Sequence, residues 1–178
     1  MSAEGTADTV EVRAARLDEA GELAEPAIAA WREGFRGIVP ADVDPARAWR
    51  PERIADRLRG PNHDGSEILA AKIDGEIRGL VLIGPHRALD APAGEGEIIA
   101  LYVHPTRWRQ GLGRALVEAA LARLAHWGHT EVIVWTLAES PRNLAFYEAL
   151  GFHRDGARQR RPSFGSPLEL RFRIALGG

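Results

Sequence analysis

The segment Glu97–Ala115 reads EIIALYV, then HPTRWRQ, then GLGRA, and its three parts call for three different backbone conformations. The first part is an almost unbroken apolar run rich in Ile and Val. That pattern predicts a central strand covered on both faces. His104-Pro105 ends it, because proline cannot donate to a sheet ladder. From Gly111 onward, Leu112, Leu116, Ala120 and Leu124 recur every four residues beside Ala115 and Ala119. This spacing predicts a helix from Gly111 to Trp127, stopped by Gly128. Glycines at 111 and 113 let backbone amides approach a ligand without interference from a Cβ. The amides of a first helical turn are unpaired, and the helix dipole adds positive potential there. Strand, loop and helix together therefore suit a phosphate or diphosphate, with Arg109 and Arg114 adding charge. A tight turn with close packing would use the same two glycines.

Two nucleotide motifs are excluded. The phosphate-binding loop G-x-x-x-x-G-K-[ST] needs Lys and Ser or Thr, which this segment lacks. A dinucleotide fingerprint needs Gly or Ala where Leu116 stands, and an acidic residue after the next strand, whereas Glu131 precedes it.

Working outward, Thr9–Ala14 reads as a first strand behind a small polar tail at 1–8. A helical pattern runs from Asp18 to Glu33, with a kink or break expected at Pro26. GFRGIVP (34–40) is a loop, and Pro51 opens a second helix carrying Ile54 and Leu58. Ser66–Ile73 and Glu76–Ile83 form a hairpin around Asp74-Gly75. Gly84–Gly96 reads as a long loop. Glu131–Leu137 is a second buried strand, Pro141 opens a short helix ending at Leu150-Gly151, and two strands, one from Phe152 and one over Leu168–Leu176, close the chain. Helices fall on both sides of a meander, so an α/β or α+β sandwich in one domain is expected over residues 1–178.

Composition narrows the function. The chain has 178 residues, 45% hydrophobic and 27% charged, with a formal net charge of −2. That balance gives no electrostatic reason to expect nucleic acid or an anionic membrane as partner. Cysteine is absent, so a disulfide framework, a cysteine nucleophile and a thiolate metal site are excluded. His126 and His129 lie three apart, but three or four convergent ligands are not in view, and no metal is expected. The N-terminus lacks a basic and apolar leader pattern, so a cytoplasmic protein is expected, as monomer or homodimer.

At Trp108-Arg109-Gln110-Gly111-Leu112-Gly113 the sequence resembles motif A of the GNAT-superfamily N-acetyltransferases, [QR]-x-x-G-x-[GA]. Trp108 departs from the usual Gln or Arg, leaving Arg109 or Arg107 to supply the charge. Asn143–Phe152, NLAFYEALGF, resembles the family's motif B at the expected spacing, and AWREGFRGIVP is similar to the start of many bacterial members. The resemblance implies a mixed, mostly antiparallel sheet of about six to seven strands with helices on both faces. It also implies direct attack of an amine on acetyl-CoA, without an acyl-enzyme and without a metal. The amine could belong to a small molecule or be an amino-terminal or lysyl amine. A non-catalytic acetyl-CoA sensor of the same fold is the alternative.

The implied roles follow residue by residue. Backbone amides over Arg109, Gln110, Gly111, Leu112, Gly113, Arg114 and Ala115 would hold the diphosphate. Two central strands would splay, one of them bulged, exposing backbone at Leu101, Tyr102 and Val103 to the pantetheine and to a developing oxyanion. Asn143 would hydrogen-bond the pantetheine, or else serve the helix start. An alkyl ammonium with pKa near 10.4 leaves only about one molecule in two thousand neutral at pH 7, so a proton must be removed. Glu97 is the candidate base, its pKa raised by burial in an apolar strand, with Glu95 and Glu139 in reserve. Tyr147 is the candidate acid for the leaving thiolate. Trp31, Phe35, Trp49 and Asp42 or Asp44 fall where relatives bind the acceptor.

Overall fold

A computed structural model describes residues 10–59 and 65–177. The polar tail at 1–8 and Thr9, the first residue of the expected first strand, lie outside them. Among the described residues, seven strands form one sheet in the order β1-β2-β3-β4-β5-β7-β6. The strands are β1 (Val10–Ala14), β2 (Glu67–Ile73), β3 (Glu76–Pro85), β4 (Glu95–Val103), β5 (Glu131–Leu137), β6 (His153–Arg160) and β7 (Leu168–Ala175). Only β4 and β5 run parallel, and the crossover between them carries α3 (Leu112–His126). The other helices are α1 (Ala20–Gly34), α2 (Pro51–Arg59) and α4 (Pro141–Ala149).

Alternation along β3 builds the core on both faces. Val81 and Ile83 pack with Leu116, Val117, Ala120 and Leu124 of α3. Leu80 and Leu82 pack with Leu23 and Ala27 of α1 and Ile54 of α2. Asp74 (φ 51°) and Gly75 (φ 85°) both take positive φ and join β2 to β3, as a two-residue hairpin turn requires.

Two expectations need correction. α1 runs through Pro26 without a break. Pro26 is buried on the core-facing side beside Leu23, Ala24 and Ala27, and that packing outweighs the cost of about 3 kcal/mol for proline inside a helix. The loop before the central strand is also shorter than expected. β3 continues to Pro85 and β4 begins at Glu95, with Gly84 paired to Glu97. Glu97 is therefore an interior residue of β4, 2% exposed.

Candidate active site

The parallel pair β4–β5 holds register only from Glu95↔Glu131 to Ile98↔Val134. In the same place the pairing with β3 steps from Ile83↔Ile98 to Leu82↔Ala100. Ile99 is thus an unmatched residue in β4, a bulge that turns the rest of the strand away from β5. His104 N–H donates to Arg78 O on β3 at 2.8 Å. By alternation, the polar groups of Tyr102 also face β3, whereas those of Leu101 and Val103 face the gap. Trp108 Nε1–H already donates to Val103 O at 2.7 Å. The gap therefore offers Leu101 and the Val103 amide, and Tyr102 instead contributes its side chain to the other face.

At one end of the gap lies the start of α3. Gly111 caps the helix in the left-handed region (φ 85°) with no side chain on the cap amides. The first helix-type bond is Ala115 N–H to Gly111 O at 3.0 Å, so the Leu112, Gly113 and Arg114 amides precede it and lack ladder partners. A Cβ on Gly113 would come 3.3 Å from the Phe146 ring. This glycine thus serves helix packing as well as open amides. Arg109 also has positive φ (62°) and is exposed. Gln110 Nε2 ties the loop to Thr106 O at 3.0 Å, and Arg114 lies 3.8 Å from Glu118. The ring of Trp108, which stands at the motif's usual Gln or Arg position, is covered by the Arg142 guanidinium from α4 at 3.8 Å.

At the other end is a cavity of about 310 Å³ lined by Tyr147, Asn143, Leu101 and Val134, and also by Phe35, Trp49, Tyr102 and Glu169. Tyr147 is 6% exposed. The rings of Phe146 at 5.1 Å and Phe152 at 5.5 Å brace it edge-on. Burial pushes its phenol well above the usual range, so it is held protonated. Asn143 has no side-chain hydrogen bond among the described residues. Tyr102 meets Trp49 edge-on at 5.1 Å, and burial raises its pKa to about 12.

Glu97 is buried, but its surroundings are not apolar. Arg87 grips both carboxylate oxygens, at 2.7 and 3.0 Å, and its backbone N–H adds a third bond at 3.2 Å. Glu97 lines a neighbouring depression of about 640 Å³ that shares Arg87, Trp135 and Arg161 with the Tyr147 cavity. Glu95 is held by Arg173 at 2.9 Å and by His86, and Glu139 is exposed. Glu169, not among the candidate bases read from the sequence, is the carboxylate that shares the cavity with Tyr147. It is 4% exposed and accepts from Gln159 at 2.6 Å and Arg161 at 2.9 Å. No motif marks it, since it reaches the site only through the pairing of β7 with β5 at Leu137↔Glu169. Trp31 stays behind the lining, edge-on to Phe35 at 5.2 Å and Phe164 at 5.8 Å. Asp42 is exposed and outside the lining, and Asp44 Oδ1 accepts from Ala46 N–H at 2.9 Å.

The parallel pair is thus split, with amides lacking ladder partners at one end of the gap and a buried tyrosine at the other. The model of the acetyltransferase (GNAT) family matches residues 27–152. The chain belongs to the GNAT acetyltransferases. It is an acyltransferase, and acetyl transfer to an amine is the general reaction of the family. The uncharacterized N-acetyltransferase YuaI of Bacillus subtilis is 28% identical over 140 residues, 79% of this chain and 78% of that protein. The mycothiol acetyltransferase of Kocuria rhizophila is 43% identical over 65 residues, 36% of this chain and only 21% of that protein. Among solved structures, the PaiA N-acetyltransferase of Thermoplasma acidophilum in complex with coenzyme A has a TM-score of 0.75 at 18% identity, covering 92% of this chain and 98% of that one. The ribosomal-protein-S18-alanine N-acetyltransferase of Escherichia coli has a TM-score of 0.65 at 17% identity, covering 96% of each. At these identities the structures bear on the fold alone.

Proposed function

We propose that this GNAT chain transfers the acetyl group of acetyl-CoA directly to a primary amine. The observation that carries the proposal is the gap opened by the Ile99 bulge between β4 and β5, with Tyr147 and Asn143 on its wall. The residues present fit coenzyme A. The Leu112, Gly113 and Arg114 amides suit its diphosphate, the gap-facing backbone of Leu101 and the Val103 N–H suit its pantetheine amides, and Asn143 adds a side-chain partner. Bound there, acetyl-CoA supplies an activated thioester.

The chain's own groups then do the following. A gap-facing β4 amide stabilises the developing oxyanion. Tyr147, kept protonated by burial, donates a hydrogen bond to the departing sulfur. Proton removal falls to the carboxylates Glu97 and Glu169, relayed by solvent because each is already engaged by arginine. Phe35 and Trp49 shape the acceptor side. The test is free-thiol release from acetyl-CoA by the purified chain with a panel of amines, with product mass measured. Amine-dependent thiol release and a matching acetylated product are expected. Tight acetyl-CoA binding with no amine-dependent release would overturn the proposal in favour of a sensor.

A further inference from the structure

The charges around the acceptor cavity are unbalanced in one direction. Four arginines line it, Arg53 and Arg57 from α2, Arg87, and Arg161, against one carboxylate, Glu169. Arg87 is taken by Glu97, and Arg57 donates to Ser66 Oγ at 3.3 Å. Arg53 is different: it is exposed at the cavity lining and has no ion pair or hydrogen bond among the described residues. Arg161 spends only its Nε on Glu169, and its two terminal nitrogens have no hydrogen bond among the described residues.

The neighbouring depression on the same sheet face shows the contrast. There Arg171 meets Asp155 at 2.7 Å, and Arg173 meets Asp155, Glu95 and Glu131 between 2.9 and 3.1 Å. Arg171 and Arg173 of that floor are matched by fixed carboxylates, whereas the acceptor cavity keeps one guanidinium, Arg53, with no carboxylate on it among the described residues.

An amine arrives mostly as a cation, and a positive cavity repels a bare cation. A negative group on the acceptor reverses the sign, and a guanidinium recognises carboxylate or phosphate through paired N–H bonds. We propose that the acceptor is a small amine that also carries an anionic group, carboxylate or phosphate, which Arg53 and the free edge of Arg161 hold while the amine faces the thioester. This rests on the acetyl-transfer reading above and names the substrate class of that same site.

Matched pairs test it through kcat/KM in the thiol-release assay: L-phenylalanine against its methyl ester, and O-phosphoethanolamine against ethanolamine, with spermidine as a bare polycation. We expect the member that carries the carboxylate or phosphate in at least one pair to exceed its partner lacking that group about tenfold, equivalent to about 1.4 kcal/mol. The responding pair separates carboxylate from phosphate, and either supports the proposal. Arg53→Gln should pull that ratio toward unity by raising KM, and the acetyl-CoA Kd should stay constant as evidence that the fold is intact. Preference for the amines without an anionic group or for spermidine, or a ratio unaltered in Arg53→Gln, overturns this inference and leaves acetyl transfer standing. Acetyl-CoA binding with no thiol release from any amine removes the acetyl-transfer reading and this inference with it.

Discussion

Tyr147 shows how one side chain is prepared by its neighbours. A solvated phenol has a pKa near 10, and burial among Phe146, Phe152 and Phe172 moves this one higher. It therefore acts as a fixed hydrogen-bond donor across the physiological range. Tyr147→Phe keeps the ring packing and removes the donor. We expect kcat to fall by about 100-fold, the lower range for losing one hydrogen-bond donor to a developing charge, with the acetyl-CoA Kd unchanged by calorimetry. Unaltered turnover would remove Tyr147 from the mechanism. Between the two carboxylates, Glu169 shares the Tyr147 cavity and Glu97 does not. Glu169→Gln should therefore reduce kcat at pH 7 more than Glu97→Gln, and the reverse order would identify Glu97 as the acceptor of the proton.

The element that matters most is the β4–loop–α3 unit. Gly111 sits at φ 85° with open space around it, so a side chain there meets backbone strain rather than a clash. Gly111→Ala should cost about 1–2 kcal/mol of stability by denaturant unfolding, together with weakened acetyl-CoA binding as the cap amides reorient. At Gly113 the constraint is different, because the α3–α4 seam leaves a Cβ only 3.3 Å from the Phe146 ring. Gly113→Glu adds bulk at that seam and negative charge beside the proposed diphosphate site. We expect at least a tenfold loss of acetyl-CoA affinity, about 1.4 kcal/mol, and retained affinity would count against that site. Trp108 belongs to the same unit. The indole closes the Val103 carbonyl and carries Arg142 on its face, so the motif's departure serves loop architecture.

At the scale of the whole molecule, Glu19 joins β1, the turn before α1, and β2. It is 2% exposed and accepts from Arg13 at 2.5 and 2.9 Å, the Arg16 amide at 2.9 Å and Lys72 at 3.2 Å. The Arg13 bonds lead in lowering its pKa from 4.5 to about 2, against burial, which raises it. A lowered carboxylate stabilises the fold fully above its unfolded pKa and loses that contribution as pH falls through the shifted value. Glu19→Gln should therefore cost about 2–3 kcal/mol at pH 7, and the difference from the parent chain should shrink between pH 4.5 and 2 in denaturant melts. A difference independent of pH would refute the ion-pair origin. Much of this architecture was legible locally. The Asp74-Gly75 turn, the four-residue repeat of α3, the apolar run of β4 and the motif around Tyr147 each carry their signal within a few consecutive residues, because turn chemistry and amphipathic period are short-range properties. The break considered at Pro26 does not occur, because burial of α1 against the sheet, which is not visible in its own turn, keeps the helix continuous. The partners of Glu97 and the entry of Glu169 depend on which strands lie side by side, and the place of Arg53 on how α2 packs against the sheet. Sequence alone determined most of the elements, the glycine-led start of α3 and the family to which they point. Only the tertiary structure decided which charges meet, because strand pairing brings residues as distant as Glu95 and Arg173 within hydrogen-bond reach.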